Sequence, residues 1–135
     1  MGVTLRELRG MNPQLETKLK ALGIKNSDDL LEHVKTPAAR RDLAAKLGVD
    51  PSIVLELANR ADLARVRGIG GVYSDLLEAA GVDTVKELAR RNPENLHEAI
   101  VKLNAEMRLA GRVPSLNMVQ KWVEQAKSLA PVLEY

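Results

Sequence analysis

Apolar residues recur along this chain at helical spacing. Val54, Leu57, Ala58 and Ala61 share one face, as do Val72, Leu76, Leu77 and Ala80; Leu96, Ile100 and Leu103; and Val119, Trp122, Val123 and Ala126. Positions three and four apart fall on one side of a 3.6-residue turn, so each set describes an amphipathic helix. Helix starts are marked by Thr36-Pro37, Asp50-Pro51, Asn92-Pro93 and Pro114-Ser115. A short polar side chain accepts from the first free amides, and proline costs nothing at a first-turn position whose N–H has no partner. Thr4 with Glu7 and Thr84 with Glu87 have capping-box spacing, and Ser27 and Asp62 stand as further N-cap types. The pattern predicts about ten short helices and no strands.

The chain matches itself at a spacing of 58 residues: Thr4 on Asp62, Leu5 on Leu63, Leu8 on Val66, Arg9 on Arg67, Gly10 on Gly68, Met11 on Ile69, Leu19 on Leu77, Gly23 on Gly81, Ile24 on Val82 and Leu30 on Leu88. A duplicated unit explains this best. It divides the chain into a first repeat, residues 1–61, and a second, residues 62–135, with a C-terminal helix, the two packed as one compact domain. The register slips by seven residues toward the end, which places extra length around Lys102 to Arg112 and sets Trp122 against Leu57.

The densest punctuation is Gly68-Ile69-Gly70-Gly71, between a short apolar segment and the helix that begins near Val72. Glycine tolerates positive φ and close backbone approach. A helix start presents unpaired amides and the positive end of the dipole, a natural anion site. The equivalent turn in the first repeat, Gly10-Met11-Asn12-Pro13, has Asn12 for the second glycine and a proline without an N–H.

Composition narrows the partners. Aromatic residues make up 2% of the chain, with no Phe and one Trp, so the core must be built from Leu, Val, Ile and Ala. Lys and Arg total 20 against 18 Asp and Glu, a net charge of +2. That is no broad polyanion field, and any nucleic-acid contact has to be local. Without cysteine, disulfides and thiolate metal sites are excluded. His33 and His97 have no metal-binding spacing and read as surface residues. No cofactor is called for. The N-terminal segment lacks the apolar core of a signal peptide and no run approaches a membrane span, so a cytoplasmic location is expected.

Val66, Gly68-Ile69-Gly70, Leu76-Leu77 and Gly81-Val82 resemble the helix-hairpin-helix motif, and two copies look like a tandem helix-hairpin-helix domain. The runs A-D-L-A-R-V-R-G-I-G, R-N-P-E-N-L and P-S-L-N-M-V-Q-K-W-V make the chain similar to a largely bacterial family, domain of unknown function 4332. The resemblance implies sequence-independent contact of turn amides with DNA phosphates. It assigns that contact to Gly68, Ile69, Gly70 and Gly71 with Arg65 and Arg67 flanking, and Arg9, Gly10 and Asn12 are the first-repeat counterparts. Val72 and Tyr73 stand where many members carry a basic residue, Asp75 adds a negative charge, and Glu16 follows the first turn, so the first hairpin is expected to be a degenerate, structural copy.

Other readings are weaker. Arg90 and Arg91 could join a nucleic-acid face, though helix-surface arginines are usually solvated or ion-paired. Tyr73 matches Leu15 and is expected to pack rather than stack on a base, and Trp122 is expected in the core. Tyr73 occupies the third glycine's place of a dinucleotide fingerprint, with no strand before it, and no nucleophile elbow or Walker pattern exists, so no enzyme is expected. The expected function is weak, non-enzymatic DNA-backbone binding. The alternative is a protein-interaction module on a scaffold that has lost that binding.

Overall fold

In the computed structural model, which describes residues 2–135, the chain folds into eight α-helices preceded by a 3-10 turn at Leu5–Glu7. The helices are α1 Pro13–Ala21, α2 Ser27–Glu32, α3 Pro37–Leu47, α4 Pro51–Leu63, α5 Gly71–Ala79, α6 Val85–Ala89, α7 Pro93–Met107 and α8 Leu116–Ser128. Among the described residues no strand forms, and one isolated bridge joins Thr4 to Asn26. No helix among them is long and apolar enough to cross a membrane.

Eight helices stand where about ten were expected, for two reasons. The short segment expected to open at Asp62 continues α4, and the first segment of the chain closes only as a 3-10 turn. Asp62 is therefore not an N-cap. It lies in the last turn of α4, buried, and its carboxylate accepts from Arg65 Nη1 and from the Val85 amide, each at 2.9 Å. Nothing stops α4 there because Ala61 and Leu63 are both buried apolar residues that extend its inner face.

The cap of α2 is likewise Asn26, whose side chain accepts from the Asp29 amide at 2.8 Å. Ser27, one residue on, is buried; its hydroxyl accepts from the Val3 amide at 2.8 Å, and its own amide donates to the Val3 carbonyl. Thr84 caps α6, but the Glu87 carboxyl leans on Asp83 instead of closing a capping box. Pro13, Pro37, Pro51 and Pro93 each occupy the first turn of a helix.

The buried apolar residues form two clusters, one running from Leu5 to Ala61 and the other from Leu63 to Ala126. Trp122 is buried in the second, as its pairing with Leu57 suggests. Three ties hold the clusters together. Arg60 of α4, 2% exposed, forms ion pairs with Asp75 and Glu78 of α5. The Leu5–Glu7 turn lies against the start of α5. The segment after α8 returns to the first cluster, where Val132 and Leu133 pack on it, Glu134 donates its amide to the Lys35 carbonyl, and Tyr135 donates its hydroxyl to Asn59 Oδ1.

Candidate nucleic-acid interface

The second glycine turn is built outward from α4. Beyond Leu63 the amides of Arg65, Val66 and Ile69 bond back to Asp62, Leu63 and Val66, winding the chain tightly. Gly68 then takes φ of +93°, a conformation that L side chains rarely adopt, and a Cβ there would lie 3.1 Å from Trp122 Nε1. Ile69 turns inward and is 2% exposed. Gly70 is extended, with φ of −100° and ψ of −164°, and forms the N-cap of α5.

Seven of the eight α-helices begin with a side-chain cap, from Asn12, Asn26, Thr36, Asp50, Thr84, Asn92 and Ser115. Helix α5 has none. Its first backbone bond is from Ser74 to the Gly70 carbonyl, which leaves the amides of Gly71, Val72 and Tyr73 without an intrahelical acceptor.

This uncapped start opens on a cleft of about 690 Å³ between the two glycine turns, lined by Arg6, Glu7, Arg9 and Gly10 on one side and Gly68, Gly70, Gly71, Val72, Tyr73 and Asp75 on the other. The cleft is charged but balanced. Arg9 reaches Asp75 at 3.6 Å while remaining largely exposed, and Arg6 pairs with Glu16 at 3.1 Å. Asp75 also accepts from Arg60. Glu7 sits closest of all, with its carbonyl oxygen 2.5 Å from where a Gly71 Cβ would be.

Of the residues assigned to the interface, Gly68, Gly70 and Gly71 meet Arg9 and Gly10 in the cleft. Ile69 is a core residue between them. Arg65 points elsewhere, held by Asp62 and by the Ala130 carbonyl at 2.7 Å. Arg67 is exposed; its amide donates to Gln125 Oε1 and it lines a neighbouring cleft with Gly68, Lys121 and Trp122. Asn12 is occupied in capping α1, where it accepts from the Leu15 amide.

Arg90 is exposed on α6's end, whereas Arg91 donates to the Ala80 carbonyl and so closes the C-terminus of α5. Tyr73 packs as expected, its ring 5.4 Å from that of Trp122 and its hydroxyl donating to the Arg112 carbonyl. His97 is not a simple surface residue: it is partly buried, with Nε2 3.1 Å from the Pro114 carbonyl.

Sequence reasoning missed Arg6 and Glu7 as cleft residues. The single signal was Gly71, the third glycine within four residues. Neither turn geometry nor capping asks for Gly71, and its missing side chain makes room for a distant strand of backbone at Glu7.

An all-helical chain with two glycine turns facing one another across a cleft defines a class by fold rather than by chemistry. Residues 9–129 match the family model described as Domain of unknown function (DUF4332), and the chain belongs to that family. Comparison with curated proteins and with solved structures gave no match.

Proposed function

We propose that the chain is a non-enzymatic binder of the DNA backbone, without sequence preference, that takes a phosphate at the uncapped start of α5. The single observation that carries this is the missing cap. Every other α-helix has a side-chain cap that accepts from one of its first amides, and α5 alone presents its first amides to the cleft without one.

The backbone supports reading the two turns as tandem helix-hairpin-helix units. Gly10 and Gly68 have φ of +96° and +93°, and Gly23 and Gly81 have +85° and +90°. The bonds from Met11 to Leu8 and from Ile24 to Leu19 recur at the same spacing as Ile69 to Val66 and Val82 to Leu77. Asn26 and Thr84, the caps of α2 and α6, also stand at that spacing.

Binding of this kind is weak, because the cleft offers few free cations and Arg9 must exchange Asp75 for a phosphate. With about two phosphates neutralised, log K should fall with log salt at a slope of about −2. The test is fluorescence anisotropy of labelled duplex and single-stranded DNA at low and moderate salt, with Val72→Glu as the variant. Val72 is 47% exposed in the first turn of α5, so a carboxylate there suits the helix dipole and leaves the fold intact while repelling a phosphate. Salt-dependent binding by the wild type that Val72→Glu abolishes is expected; no binding at low salt removes the proposal.

A second reading, a protein-interaction module on the same scaffold, is favoured by one observation: Glu7 and Asp75 already place two carboxylates beside the turn. It predicts no salt-dependent DNA binding and a partner unaffected by polyanions.

A further inference from the structure

A second cavity, of about 540 Å³, lies on another part of the molecule, between α6, the end of α8 and the returning C-terminal segment. It shares no lining residue with the cleft at the glycine turns. Its floor and walls are apolar: Val85 and Ala89 of α6, Ala126 of α8, and Leu129, Val132 and Leu133 of the segment that crosses over.

Four cations also line it, Arg65, Lys86, Arg90 and Lys127, against the carboxylates of Asp62 and Glu134. These charges are not equivalent. Asp62 and Arg65 bond to each other, and each has a further partner in the Val85 amide and the Ala130 carbonyl, so both are committed to the fold. Lys127 reaches Glu124 at 3.8 Å on the open surface. Lys86 and Arg90, one turn apart at the end of α6, are exposed and form no ion pair within 4 Å among the described residues, although both also line a neighbouring cleft with Asp83 and Glu87 and Arg90 acts on the Glu87 carboxyl. A half-enclosed apolar slot of ligand size with unpaired cations beside it is the form of a small-molecule site, not of a solvated face.

We infer that this cavity binds a small amphipathic organic anion. The hydrocarbon or aromatic body lies against Val85, Ala89, Leu129 and Leu133, and the acidic head is held by Lys86 and Arg90. Charge complementarity selects the occupant: a neutral apolar molecule would gain nothing from either cation, and a cationic amphiphile would be repelled by them.

The probe is anilinonaphthalene sulfonate, whose emission rises in apolar surroundings, titrated into the full chain and displaced by octanoate or by octylammonium. The expected result is saturable binding at one site, displaced by octanoate and not by octylammonium. The double variant Lys86→Glu, Arg90→Glu should weaken binding about tenfold, equal to about 1.4 kcal/mol. Ala89→Trp, which fills the slot, should abolish it. Circular dichroism establishes that each variant is folded; if one is not, displacement from the wild type by the two head groups decides alone. The inference is overturned by non-saturable uptake, by equal displacement with both amphiphiles, or by a folded variant that binds as the wild type does.

Discussion

Two adjacent glycines meet the same neighbour, Glu7, in different ways. At Gly71 a Cβ would lie 2.5 Å from a backbone oxygen, and backbone cannot swing aside. At Gly70 it would lie 3.4 Å from Glu7 Oε1, the far end of a flexible side chain, and the extended backbone suits an N-cap. Gly71→Ala should therefore cost about 1–3 kcal/mol by forcing the turns apart. Gly70→Ser should stabilise by about 0.5 kcal/mol, since it supplies the missing cap and restricts the unfolded chain. Urea unfolding of the two variants measures both. A second residue-scale effect comes from Asp83, whose Oδ1 is buried without a hydrogen-bond donor. The neighbouring Glu87 carboxyl supplies one when protonated, so that hydrogen bond, then burial and the Asp83 charge, raise Glu87 above its ordinary 4.5, opposed by Arg90 and Arg91. A raised folded-state value means that the folded chain holds the proton more tightly than the unfolded chain, so stability falls as pH rises from 4.5 through the raised value. Glu87→Gln, which keeps a donor toward Asp83 at every pH, should be more stable than the wild type at neutral pH. The difference should vanish below 4.5 in thermal unfolding followed across pH.

At the scale of elements, one buried cation of α4 ties it to α5. Arg60 is 2% exposed and bonds to Asp75 and Glu78, while Ser74 Oγ lies 3.4 Å away. The carboxylates are partly solvated, so removing Arg60 leaves them hydrated and the loss is at the lower end for a buried pair. Arg60→Ala should cost about 3 kcal/mol, and Arg60→Met, which keeps the apolar stem, distinctly less. Differential scanning calorimetry of the two separates charge from packing. The start of α3 and the starts of α4 and α7 were legible in the sequence because a cap and a proline are local signals that no tertiary contact had to supply. The run of α4 through Asp62 was not, because an N-cap residue type also serves as a buried acceptor when Arg65 and the Val85 amide come to it.

For the molecule as a whole, the segment after α8 is a strap. Arg40 of α3 is 5% exposed, with Nη1 on the Val34 carbonyl, Nη2 on the Glu134 carbonyl at 2.6 Å, and its guanidinium 5.4 Å from the centre of the Tyr135 ring. Tyr135 is 66% exposed, but partial desolvation of its hydroxyl and then the carboxylates of Asp62 and Asp83 push that group up to about 12, with Arg40 opposing. Deleting residues 130–135 would strip Arg40 of two partners and uncover Val132's and Leu133's contact surface on the first cluster. The shortened chain should lose about 2–4 kcal/mol, from a charge-assisted hydrogen bond and partly buried apolar surface, seen as a lower urea midpoint. It should also lose anilinonaphthalene sulfonate binding, since the strap walls that cavity.

The sequence by itself determined that the chain is helical, where most helices begin, and that glycine turns recur at a fixed spacing, because caps, prolines and 3.6-residue periodicity act over a few residues. It also marked Gly68, Gly70 and Gly71 as special, since positive φ and an absent side chain are written in the residue type. Tertiary structure alone decided that Glu7 lies over the second turn, that Arg65 turns away from it to the strap, and that Arg40 and Arg60 are buried. An arginine's partner is chosen by which carbonyls and carboxylates long-range packing brings within about 3 Å. That proximity depends on the whole chain, and no local pattern encodes it.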